Sequence, residues 1–408
     1  MKALVAPEAF SHGDSSTSRR LVVRLLGIAP AALLLSGLLT VWAGPLAAPA
    51  AAAAPTSPVV AWGDDSVGQT TVPAGLSGVT AIAAGMDHSL ALNAVGTVVA
   101  WGGNGSGQAT VSPGLTGITA IAAGNDHSLA LKSDGTVVAW GSNTDGQTKV
   151  PGGLSDVTAI AAGGSHSLAL KSDGTVVAWG NNDAGQAAVP GGLSDVTAIA
   201  AGGSHSLALK SDGTAVAWGN DTYHQTELPT HLAGVTAIAA GFHHSIALLA
   251  DGTVVAWGDN SSGQGDVPHD LTGVTSIAAG ANHSLALKSD GTVVAWGDSS
   301  LGQTTVPAAL SGVTAIAAGL HHSLALKSDG TVVAWGNNGS GQVTVPAGLS
   351  GVSAIAAGGN FSFVLKSDGS LVGWGAKDFG QLTFPAALKG AIAIAGGGTF
   401  CLAIVRHP

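Results

Sequence analysis

The sequence predicts an all-β fold, a closed β-propeller of 39-residue, four-stranded blades. Three observations lead there: a Trp-Gly pair that returns every 39 residues, an aliphatic or β-branched residue at almost every alternate position of each unit, and a unit split between the two ends of the chain. The pair stands at Trp62, Trp101, Trp140, Trp179, Trp218, Trp257, Trp296, Trp335 and Trp374, with no insertion or deletion between them. A fixed period overrides the two or three domains that 408 residues would otherwise suggest.

Within one unit, residues 157–163 (VTAIAAG) read as a strand ending at a glycine, and residues 166–171 (HSLALK) as a second with Leu168 and Leu170 on one face. Ser172, Asp173 and Gly174 carry hairpin turn chemistry, and TVVAWG follows as the third strand. A polar loop then leads to QAAVP, read as a fourth, outer strand because Pro190 suits an edge that needs fewer ladder bonds. The repeat region opens with a second half-unit at Val59 and closes with a first half-unit ending at Val405, so residues 59–73 and 391–405 are expected to share one blade. Counting both halves gives nine repeats, and a nine-bladed ring is favoured over a seven-bladed one.

Residues 1–55 differ in kind. A twin-arginine stretch, Ser18 to Arg24, precedes an apolar run from Leu25 to Val41 and an Ala-rich segment, which together read as an export signal cleaved near Ala50 to Ala54. The expected division is 1–55 export signal and 56–408 propeller, with a secreted or extracellular destination. Membrane attachment follows only if the signal is retained, since its run of about 17 residues is the lower limit for a span.

Charged residues make up 9% of the chain, and the part after residue 55 holds 10 basic against 22 acidic residues, a balance that excludes phosphate-led binding of nucleic acid. Cys401 stands alone, so no intramolecular disulfide is expected. A monomer is expected.

The unit pattern AAG..HSLAL..DGTVVAWG.N..GQ resembles the regulator of chromosome condensation repeat family across residues 59–405. Within that family the short unit, the VPAGLSGVTAIAAG junction and the export signal look most like the secreted propeller-type β-lactamase inhibitory proteins. The resemblance implies a propeller with a protein-binding role. The basic tail and longer units of nucleotide-exchange members are missing, and the loops here carry mostly Gly, Asn, Ser and Asp where inhibitory members carry aromatics.

A histidine recurs at His88, His127, His166, His205, His244, His283 and His322, with Phe361 and Phe400 in the last two equivalent places. Replacement by phenylalanine marks a structural position that needs a flat, buried ring, satisfied by one backbone hydrogen bond. Function is therefore sought where the units differ. Strand order puts the loops after AIAAG and after AWG on one face and the SDG turns and VPAGLSG junctions on the other, and the first face varies most.

The candidate partner-binding residues there are Tyr223, His224, Phe242, His243, Leu301, Leu320 and Phe379. Asp221, Glu227, His231, His269 and Asp270 raise a metal or catalytic reading, but the last three belong to the opposite-face junctions. No metal or catalytic residue is therefore assigned, and no cofactor; weak calcium binding by the Asp- and Asn-rich loops lacks a full ligand series. No nucleophile elbow, zinc-protease pair or phosphate loop occurs after residue 55. The leading expectation is an exported, non-enzymatic binder of a protein partner, acting as an inhibitor in one version. The alternatives are an extracellular enzyme acting on polysaccharide at a central channel and a structural surface scaffold.

Overall fold

A computed structural model describes residues 25–26 and 59–405, apart from 225, 230–231, 233, 242, 377–390 and 397–399. Among the described residues there is no helix, and nine three-stranded antiparallel sheets follow one another along the chain. In the unit opened by Val157–Ala162, that inner strand pairs with His166–Lys171, which pairs with Val176–Gly180. The two-residue strand Leu25–Leu26 runs parallel to Val235–Ala240, with Leu25 opposite Ile238.

Local chemistry sets this register. Asp134 Oδ1 accepts from the Thr136 amide at 3.0 Å and from its hydroxyl at 2.6 Å, while Gly135 takes φ 78°, so the SDG turn closes the hairpin tightly. The Lys132 ammonium reaches Asp134 at 2.7 Å, and that hydrogen bond with those from Thr136 holds the carboxyl well below its usual range. A bulge between Ile118 and Ala120 shifts the pairing by one residue, beside the bond that Thr119 Oγ1 donates to the Leu131 carbonyl at 3.2 Å.

The expected fourth strand does not form. The Lys149 and Val150 amides donate instead to the Gly146 and Thr148 carbonyls, so this segment spends its backbone bonds inside the loop. Its apolar residues act as plugs: Val150 and Leu154 pack onto Leu129, Leu131, Ile160 and Trp179, between one sheet and the next. Each of the nine repeat tryptophans is thus buried against the preceding unit, and a single three-stranded sheet would leave it wet.

The two ends meet as expected. Val59–Gly63 pairs antiparallel with Phe400–Val405, which pairs with Ala391–Gly396. This joint sheet packs on one side against Phe363 and Leu371 and on the other against Val79, Ile82 and Trp101.

The recurrent histidine lies in the seam between sheets. His166 is buried over Gly163, where a methyl group would lie 2.3 Å from its Cε1 and 2.6 Å from the Gly202 carbonyl of the next unit. Phe361 occupies the same slot over Gly358. The sequence did not show the main partner: in six units the imidazole bonds to the serine hydroxyl of the following sheet, as in His88–Ser128, His166–Ser206 and His322–Ser362, at 2.9 to 3.0 Å. Gly163→Ala should therefore destabilise the protein by about 2 kcal/mol, the cost of forcing a methyl into a filled seam, as read by denaturant unfolding.

Burial first of all pushes the seven imidazoles down to about 3 or 4, from an ordinary 6.5. The unfolded chain thus binds protons that the folded chain refuses. Stability is whole above pH 6.5 and falls as pH drops from 6.5 towards the folded values, about tenfold per imidazole per pH unit in the folding equilibrium. A steep acid unfolding between about pH 6 and 4, monitored by tryptophan fluorescence, is the expected result. His166→Phe should move its midpoint to lower pH and change stability at pH 7 by less than about 1 kcal/mol.

Candidate functional site

The repeated histidine–serine pairs have the elements of a nucleophile and base, but not the geometry. Ser206 Oγ donates to the Gln186 carbonyl at 2.8 Å, so its proton is committed and His166 Nε2 must donate to the hydroxyl. The other ring nitrogen, Nδ1, is buried without a partner. Both side chains are closed to solvent and to substrate. Their role is to tie one sheet to the next.

Seven of the loops after the Trp-Gly pairs share one design among the described residues. In the unit ending at Gly297, Gln303 Oε1 accepts the Leu301 amide at 2.9 Å, and Gly302 at φ 80° turns the chain back. Val67, Ser106, Asp145 and Ala184 donate to their own glutamines in the same way. This clamp turns the side chain two residues before each glutamine outward. Val67, Tyr223 and Leu301 share that repeat position and are three of the four exposed large apolar side chains among the described residues. The fourth, Val95, replaces the aspartate of an SDG turn on the opposite face. Val67 and Val95 were not singled out from sequence, though their spacing in the 39-residue frame could have found Val67.

The loop at residues 220–228 departs most. His224 sits at φ 59°, where seven other units place a glycine near φ 80°, so a left-handed backbone is held by a residue that rarely adopts it. Asp221 Oδ1 accepts from the Thr226 amide and hydroxyl at 2.9 and 2.6 Å, the role its asparagine equivalents play elsewhere. His224 Nδ1 lies 3.1 Å from Glu227 Oε1, a pairing the sequence did not reveal. Ligand atoms of Asp221, His224 and Glu227 all fall within 4.8 Å of one another, and one imidazole with two carboxylates is a donor set that a zinc-like cation could use.

Tyr223 stacks on His243 of the following unit with ring centroids 4.1 Å apart and planes at 28°, while 42% of the tyrosine surface stays exposed. Burial lowers the His243 pKa, with Asp259 opposing, so its ring is neutral at pH 7. Tyr223, His224 and His243 are therefore brought into one patch. Leu320 differs from expectation: it is half-buried, packs on the cluster around Ile316 and Trp335, and leans on Gly359. His269 and Asp270 are exposed on the junction after Pro268. Phe242, Phe379 and His231 lie outside the described residues.

The regulator of chromosome condensation (RCC1) repeat model matches residues 79–108, 118–147, 157–186, 196–225, 235–264, 274–303, 313–342 and 352–381. The chain belongs to this repeat family. No curated protein sequence matches it. The RCC1-repeat structure of Prp20p from Saccharomyces cerevisiae is similar at 21% identity and TM-score 0.48, covering 88% of this chain and 93% of that one. Human WBSCR16 is similar at 18% identity and TM-score 0.46, covering 85% and 98%. The computationally designed Ika8 protein is similar at 24% identity and TM-score 0.41, covering 73% and 96%. Family membership agrees with the repeat-built propeller.

The His224–Glu227 pair has a direct test. The hydrogen bond to Glu227, and then its charge, raise the His224 pKa above 6.5. Its NMR titration should therefore sit above 6.5, fall back on Glu227→Gln, and weaken in high salt because both groups are exposed. The pair's contribution is present below pH 6.5 and is lost as pH rises through the folded value.

Proposed function

We propose that this protein is an exported, non-enzymatic propeller that binds a protein partner through the loop face, with the stacked Tyr223 and His243 as the centre of contact. The observation that supports this most is the placement of a half-exposed tyrosine on a neighbouring unit's imidazole, amid loops built mostly of small polar residues. Aromatic anchors on a rigid support lose little entropy on binding and dominate interface energetics. Membership in a repeat family of binding propellers agrees with this reading. The shared terminal sheet and the packing of consecutive sheets support a ring closed at nine blades, and the twin-arginine stretch supports export. Leu301, Leu320, Phe242 and Phe379 are proposed as secondary contacts, and inhibition of the partner is one form the activity takes.

The test is capture from the native secretome on the immobilised protein. Tyr223→Ala should weaken retention of the captured partner about thirtyfold, equivalent to about 2 kcal/mol. Asp251→Ala, in the opposite-face turn, should leave it unchanged. Equal losses from the two variants, or no protein retained by wild type above the Tyr223→Ala background, would remove this reading.

A further inference from the structure

The two faces of the propeller carry different charge. On the loop face the described residues include eleven carboxylates and one lysine, Lys149. The opposite face has ten carboxylates and six lysines, and each of those lysines lies within 3.4 Å of the aspartate two residues on, as Lys171 does with Asp173. The excess negative charge is thus concentrated on the variable face and screened internally on the other. Part of it lies near Tyr223: Asp221 and Glu227 flank His224, and Asp259 lies close enough to His243 to influence its titration.

We infer that the partner, on the protein-binding reading above, presents an arginine-bearing basic surface, with a guanidinium seated on the exposed Tyr223 ring beside Asp221, Glu227 and Asp259. Charge complementarity selects the sign of the partner, because an acidic surface brought against a face with eleven carboxylates and one lysine among its described residues is repelled. The ring selects arginine over lysine: a planar guanidinium stacks on an aromatic face and offers several donors to flanking carboxylates at once. His243 stacks on the tyrosine, and 42% of the tyrosine surface stays exposed for contact with the cation.

The experiment measures anisotropy of fluorescein-labelled octa-arginine, octa-lysine and octa-glutamate peptides with the full-length protein at low and high salt. Octa-arginine should bind at least about fivefold more tightly than octa-lysine, weaken with salt, and octa-glutamate should not bind. Tyr223→Ala should weaken octa-arginine at least about fivefold while Tyr223→Phe retains it. Asp221→Asn combined with Glu227→Gln should weaken it similarly, and Asn is the residue that other units hold at position 221, so the loop keeps its acceptor. Asp173→Asn with Asp212→Asn, on the opposite face, should change affinity less than about twofold. Equal loss from the opposite-face pair, or octa-lysine binding as well as octa-arginine with Tyr223→Ala silent, overturns the inference. Capture of a secretome partner that depends on Tyr223, without any arginine preference, would leave the partner reading standing and sink only this one. Arginine binding at Tyr223 with no captured partner would sink the other.

Discussion

The carbonyl oxygen of a loop glutamine, repeated in seven units among the described residues, holds this architecture together. The Gln108 carbonyl accepts from Trp140 Nε1 at 2.9 Å and from Ser128 Oγ at 3.1 Å, and Ser128 in turn receives His88 of the preceding sheet at 2.9 Å. Two side chains of one sheet therefore meet at one backbone atom of the connection, and the histidine of the preceding sheet is joined to it through the serine. The same node recurs at Gln147, Gln186, Gln303 and Gln342. A tryptophan donor buried without this acceptor would cost about 1–3 kcal/mol, so the position of the loop backbone is fixed by the core rather than by its own sequence.

That constraint explains why the units can be nearly identical in their strands and free at their tips. The glutamine carbonyl faces the core while its side-chain oxygen clamps the amide two residues earlier, as Gln342 does for Ser340 at 2.8 Å. What stands at the clamped position affects neither bond. Serine, aspartate, alanine, valine, leucine and tyrosine all occupy it in one repeat or another. Variation at this place costs the fold little, and contact chemistry can be added there without disturbing the seam.

The repeat was legible because its signals are local: tryptophan spacing, Asp-Gly turns and alternating strands lie within a few residues of one another. The fourth strand was misjudged because QAAVP has strand composition, while its amides are consumed by loop turns that only the three-dimensional path reveals. The serine partner of each histidine is 40 residues away in sequence, so the buried ring could be inferred from Phe361 but its bond could not. At the site, Tyr223, His224 and His243 were found by their departure from the repeat, and the structure joins them. Glu227 was noticed yet not paired with His224, since the left-handed turn that brings them together appears in the sequence only as a lost glycine. Leu320 read as an exposed tip because composition does not tell which way a leucine leans.

The histidine seam and the loop patch place opposite demands on the same residue type. In the seam, burial keeps imidazole neutral, and phenylalanine stands in its place at Phe361 and Phe400. At the tip, His224 is exposed beside a carboxylate and its charged form is favoured, while His243, half-buried beneath Tyr223, is held neutral at neutral pH. Three environments thus give imidazole two protonation behaviours, neutral in the seam and beneath Tyr223 and favoured as the cation at the exposed tip. A flat neutral ring is what a stacking support requires, because an imidazolium beneath Tyr223 would repel a cation approaching from the other side. Neutrality of His243 and the carboxylates around it therefore act in the same direction, and both favour a positive group over the tyrosine.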